Sequence, residues 1–141
     1  MSKRLSKIVS FVQEHHVLSL ATKSVEELSV CSLFYVYDED SRCFIVASSE
    51  DTLHMKHIRK DPNVAGNILL ETESIGRIQG LQFRGKFVIL QEERLKILYF
   101  KKFPYALALN PLLYKIEVNF LKLTDNRLGF GKKIIWTDSS L

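Results

Sequence analysis

Leu5, Ile8, Val9 and Val12 recur at the i, i+3, i+4, i+7 spacing of one helical face, and Lys3, Arg4 and Lys7 fall largely off it. His15 and His16 close this amphipathic helix, where cations suit the negative end of the dipole. The pattern then changes to strands. Val17 to Thr22 is the first, and Ser29 to Tyr37 the second, with apolar residues on both faces: Val30, Phe34 and Val36 against Cys31, Leu33, Tyr35 and Tyr37. A strand apolar on both sides needs a core on one face and a helix, a partner subunit or a flat ligand on the other. Residues 38–42 read as a hairpin loop and Cys43 to Ala47 as the returning strand.

A short helix from Thr52 to Lys60 stops at Asp61-Pro62, and strand returns from Val64 to Leu70. Arg77 to Leu90 is a long strand whose Gly80 and Gly85 predict bulges or sharp bends, as closure of a small barrel requires. Glu92 to Phe103 is a helix with acids in its first turn and lysines in its last, ended by Pro104. Leu113 to Leu123 alternates strictly, Tyr114, Ile116, Val118 and Phe120 opposing Lys115, Glu117 and Asn119. A turn at Asp125-Asn126 leads into residues 129–136 and a polar tail. About six strands with helices at the ends and corners predict an α+β barrel.

Composition adds bounds. A length of 141 residues matches a single domain spanning 1–141, and 46% hydrophobic with 26% charged residues is ordinary for a folded globule. The basic N-terminus is followed by no apolar stretch of signal-peptide type, and no segment has membrane-spanning length. Cys31 and Cys43 have neither metal nor redox spacing, so two buried thiols and a cytoplasmic location are expected. The net charge of +4, from 20 basic and 16 acidic residues, suits a small anionic ligand better than a nucleic-acid backbone.

The segment with most chemistry runs from Phe44 to His57. A buried strand passes through Ser48, Ser49 and Thr52 directly into a helix, where free backbone N–H groups and hydroxyls can hold an anion. His54, Lys56 and His57 offer cations nearby. The same residues equally suit a plain helix cap, and Glu50 and Asp51 oppose an anion. His54 and His57, without a Cys or carboxylate ligand, do not make a metal site. Gln82 and Arg84 share one strand face, either toward a ligand or on an outer surface.

Phe44 to Pro62, followed by Val64-Ala65-Gly66, resembles the flavin-phosphate segment of the pyridoxamine 5′-phosphate oxidase-like split barrels. The stretches Ile78 to Gly85 and Leu123 to Trp136, with the helix ending Lys101-Lys102-Phe103-Pro104, are similar to one uncharacterised bacterial family within that superfamily. The resemblance implies a six-stranded antiparallel split β-barrel with flanking helices, a homodimer, and FMN held in clefts between subunits. It places the phosphate at Ser48, Ser49, Thr52 and His54, and the ring along Cys31, Ser32 and Leu33 and along Val46 and Ala47. Gln82 would reach the polar edge of the ring, and the second subunit would contribute Lys132, Lys133 and Trp136. Where the oxidase proper has an Arg-Lys pair on the phosphate, this chain has Leu53 and His54. A titrating histidine there implies weaker charge compensation and an affinity that falls as pH rises. The oxidase's substrate-phosphate motif has no counterpart, so its substrate is not carried over. The implied function is an FMN-dependent oxidoreductase of unknown substrate. The alternative is a non-catalytic flavin or haem carrier, with His15, His16, His54 or His57 as axial ligand.

Overall fold

The computed structural model describes residues 3–138. Helix α1, Lys3–Glu14, precedes strands β1, Val17–Lys23, β2, Leu28–Asp38, and β3, Cys43–Ser48. Helix α2, Leu53–Lys60, leads to β4, Asn63–Leu69, and β5, Gln79–Ile89. Helix α3, Glu93–Lys102, then precedes β6, Leu112–Asp125, and β7, Lys133–Thr137. Neighbouring strands are antiparallel in the order β3-β2-β1-β4-β5-β6-β7, and β3 also pairs with β6. Six strands therefore close a barrel.

The 14-residue β6 makes the closure possible. One edge lies along β5, while the other pairs first with β3, from Ser48↔Leu112 to Cys43↔Glu117, and then with β7. The seventh strand, which the alternation of residues did not predict, thus extends β6 beyond the reach of β3. Gly85 lies where the β5–β6 register shifts by one residue. A Cβ at Gly85 would press into the Glu117 carbonyl, so glycine is required for the bend. Gly80, by contrast, pairs regularly with Leu69 and Thr124, and its place holds no bulge.

Two cores follow from the two faces. Inside the barrel, Leu18, Leu20, Tyr35, Phe44, Val46, Phe83, Ile116 and Leu121 are sealed. Ile8, Val9, Phe11 and Val12 of α1 and Met55 and Ile58 of α2 join that core. The Tyr35 hydroxyl donates to the Val12 carbonyl at 2.5 Å, fixing the end of α1. Outside, Leu95 and Tyr99 of α3 cover Val36, Cys43 and Ile45. The helix therefore covers only the last third of the outer face of β2; Leu28, Val30 and Phe34 stay exposed. Both cysteines are free thiols, Cys43 buried as expected and Cys31 only half-buried. Among the described residues no helix is long and apolar enough to cross a membrane.

Candidate functional site

The Ser48–Thr52 turn joins β3 to α2. Thr52 caps the helix, its hydroxyl oxygen accepting from the Met55 N–H at 3.3 Å while its O–H donates to the Ser49 carbonyl at 3.0 Å. The first-turn amides of Leu53 and His54 have no intrahelical acceptor. His54 turns back beneath the turn, its Nε2 lying 2.6 Å from Ser48 Oγ and 3.2 Å from Thr52 Oγ1. With a proton on Nε2, His54 donates to Ser48 and leaves the Ser48 O–H free to donate outward. The turn forms one wall of a groove, residues 47–51; residues 109–112 form the other. That second wall had no signal in the sequence, because it is a 3₁₀ segment of Pro104–Leu109 followed by the left-handed Asn110.

The electrostatics depart from expectation at His54. Burial, and then the nearby His57, lower its pKa, so at neutral pH the ring is uncharged. His57 does not assist the turn at all: its Nδ1 lies 2.9 Å from Thr22 Oγ1 and its Nε2 3.3 Å from Glu27. It ties α2 to the β1–β2 loop. Lys56 is exposed, and Glu50 and Asp51 line the groove. Ser48, Ser49, Thr52 and His54 thus offer neutral donors, and the cation at the turn is Arg59 of α2, whose Nη2 donates to the Glu50 carbonyl.

The other expected residues divide between the faces of the sheet. Val46 is sealed in the barrel, and Cys31 and Leu33 pack against the same core. Burial raises the Cys31 thiol pKa, which keeps it protonated. Ala47 packs on the outer cluster under α3. Ser32 and Gln82 face outward in one cross-strand row, separated by β1 and β4, which at ordinary strand spacing is about 14 Å. Lys132 and Lys133 are exposed at the start of β7, Lys133 Nζ donating to the Gly131 carbonyl at 3.1 Å. Trp136 packs on its own barrel, with the Arg42 guanidinium 5.2 Å from its ring centre. One chain therefore gathers Ser48, Ser49, Thr52 and His54 but not the full set. Of the histidines, His54 and His57 are buried, the His15 ring lies 4.4 Å from that of Phe11, and His16 is exposed. Among the described residues no three His, Cys, Asp or Glu side chains converge as a metal site.

No family model matches the chain. A UPF0306 protein of Photorhabdus laumondii is 33% identical over 129 residues, covering 89% of this chain and 90% of the relative. Among solved structures, a haem-binding protein from Mycobacterium smegmatis superposes with TM-score 0.78 at 12% identity, over 97% of this chain and 59% of that one. An FAD-binding protein from Mesorhizobium loti gives TM-score 0.69 at 12% identity, over 87% and 92%. A putative pyridoxamine 5′-phosphate oxidase from Listeria innocua gives 0.66 at 16% identity, over 82% and 94%. The barrel is the split barrel of these proteins, which are described as binding haem, as binding FAD and as a putative pyridoxamine 5′-phosphate oxidase.

Proposed function

Because the chain belongs to the UPF0306 family and folds as a pyridoxamine 5′-phosphate oxidase-like split barrel, we propose that it binds FMN between two copies and works as a flavin-dependent oxidoreductase. The observation that carries this reading is the convergence of Ser48 Oγ, Thr52 Oγ1 and His54 Nε2 at the start of α2, beside an open groove. A phosphate fits the donors here but not the charge. Ser48 donates, Thr52 holds the turn in shape, and His54 orients Ser48. Glu50 and Asp51 add negative potential. Arg59, whose Nη2 already donates to the Glu50 carbonyl, is the cation this chain has at the turn, and Lys132 and Lys133 of a second copy are the further candidates. The exposed Leu28, Val30 and Phe34 on β2 supply apolar surface for that second copy and for a flat ring.

Bound FMN supplies the hydride and electron transfer, so the protein needs to contribute binding, orientation and exclusion of water rather than a catalytic side chain. The absorption spectrum of the purified protein is the test. Two flavin bands, bleached by NADH or NADPH under exclusion of oxygen, are expected. A Soret band would replace this reading by the haem-carrier alternative. A colourless protein that does not quench FMN fluorescence would end the flavin reading.

A further inference from the structure

Along one edge of β6 the pairing passes from β3, whose last pair is Cys43↔Glu117, to β7, whose first pair is Phe120↔Thr137. Two backbone bonds pin the strands where they part. The Val118 N–H donates to the Arg42 carbonyl at 3.2 Å, and the Asp138 N–H donates to the Asn119 carbonyl at 3.1 Å. Along the other edge, Gly85 pairs with Val118 and Arg84 with Phe120, so Asn119 is the extra residue of the bulge. A bulge of this kind bends the strand and re-aims a side chain. Arg42, at the end of the β2–β3 loop, holds a φ of 51°, a left-handed conformation uncommon outside glycine. Two irregularities of the backbone therefore meet at one place.

That place is a cleft of about 770 Å³, within the range of small-molecule sites. Asp40 and Arg42 line it from the loop, Lys86 from β5, Glu117 and Asn119 from β6, and Asp138 from just beyond β7. Both signs of charge are present, yet they do not neutralise one another. Lys86 and Glu117 are directly opposite in register without forming an ion pair, and Glu117 lies instead 3.7 Å from Lys115 Nζ. Arg42 rests on the Trp136 ring and, like Asp40 and Lys86, is in no ion pair among the described residues. The Asn119 side-chain amide, donor and acceptor at once, makes no hydrogen bond among them either. An ion of one sign would meet its like on the same walls. A molecule with both signs, and an amide between them, finds a partner for each part.

We propose that this cleft binds a short peptide with free ends. Arg42 and Lys86 meet its carboxylate, Asp40 and Asp138 its ammonium, and the bulged Asn119 its peptide group. The cleft shares no lining residue with the groove beside the Ser48–Thr52 turn, nor does it include Val30, Ser32 or Gln82. The proposal does not rest on the flavin reading.

Amide chemical-shift mapping of the whole chain tests it, with L-alanyl-L-alanine as probe. The N-acetylated dipeptide, which lacks the ammonium, and the C-terminal amide, which lacks the carboxylate, are the comparisons. The free dipeptide is expected to shift Ser41, Arg42, Lys86 and Asn119 saturably, and each capped form to bind roughly tenfold or more weakly. Arg42→Gln, Lys86→Gln and Asn119→Ala are each expected to weaken the free dipeptide several-fold or more, with unchanged melting temperature. Equal affinity for the free and capped dipeptides would overturn the proposal, since the charges would then have no part in binding. So would a folded Arg42→Gln and a folded Lys86→Gln chain that both bind as wild type does. Shifts that stay linear in dipeptide concentration, or fall elsewhere on the chain, would also overturn it.

Discussion

Asp38 is buried where β2 ends, and Arg94 of α3 grips both its oxygens, at 3.0 and 2.9 Å, while Ser41 donates from its backbone N–H and from its hydroxyl. Chiefly through the Arg94 hydrogen bonds, its pKa falls from 3.8 to about 2. A carboxylate lowered in the folded state contributes stability above its unfolded pKa and loses it as pH falls through the folded one. Asp38→Asn is therefore expected to cost on the order of 1–2 kcal/mol at pH 7, after discounting for the solvent-facing Arg94. In urea titrations the gap to wild type should shrink as pH drops from about 4 toward 2. His54 has the opposite chemistry but the same pH sense. Its pKa is lowered from 6.5, so below 6.5 the unfolded chain takes up a proton that the folded one refuses. Stability falls as the solution is acidified from that point, and His54→Gln should flatten this slope in a melting-temperature series. Flavin affinity near neutrality should be nearly independent of pH on this side chain's account, since the ring is already neutral there. Nothing in the linear sequence marked His54 as buried, because its burial depends on how α2 lies against the barrel.

At the scale of elements, β5 and β6 carry the shape. Gly85→Ala forces a Cβ into the Glu117 carbonyl at the bulge and should cost about 1–3 kcal/mol. Gly80→Ala meets nothing nearer than the Ile68 carbonyl at 3.8 Å and should change stability little. Chemical denaturation of the two variants checks the contrast. The strands were readable where one side of the chain meets a core, as in the alternation of Tyr114, Ile116 and Val118. They were not readable where pairing is set by a distant partner. Ile134-Ile135-Trp136 is too short to distinguish strand from loop, and it becomes β7 because β6 runs on past β3 and leaves an edge to fill. The Pro104–Leu109 turn likewise has no periodicity of its own, and it supplies the groove's second wall only through the fold.

For the whole molecule, the expected α+β split barrel is present, and the doubly apolar β2 has a physical account. Cys31, Leu33, Tyr35 and Tyr37 face the barrel core, Val36 lies under α3, and Leu28, Val30 and Phe34 are left at 83%, 72% and 58% exposure. Surface of that kind on one strand favours a second copy. Sedimentation should give a mass of two chains, and Phe34→Asp should give one without loss of the folded barrel. The cofactor positions were less legible than the fold, for a geometric reason. Residues adjacent in sequence, such as Ser32 and Leu33, face opposite sides of a strand, and which of them share a face with residues of distant strands is set by the register of the sheet.

The central claim, a flavin phosphate on the Ser48–Thr52 turn, is tested most directly by titrating the chain with FMN and with riboflavin, which differ only in that phosphate, and following flavin fluorescence. The account predicts that FMN binds roughly tenfold or more tightly than riboflavin, about 1.4 kcal/mol or more, and that Ser48→Ala with an unchanged melting temperature removes most of the difference. Equal affinity for the two flavins, or a Ser48→Ala chain that still separates them as wild type does, would contradict it.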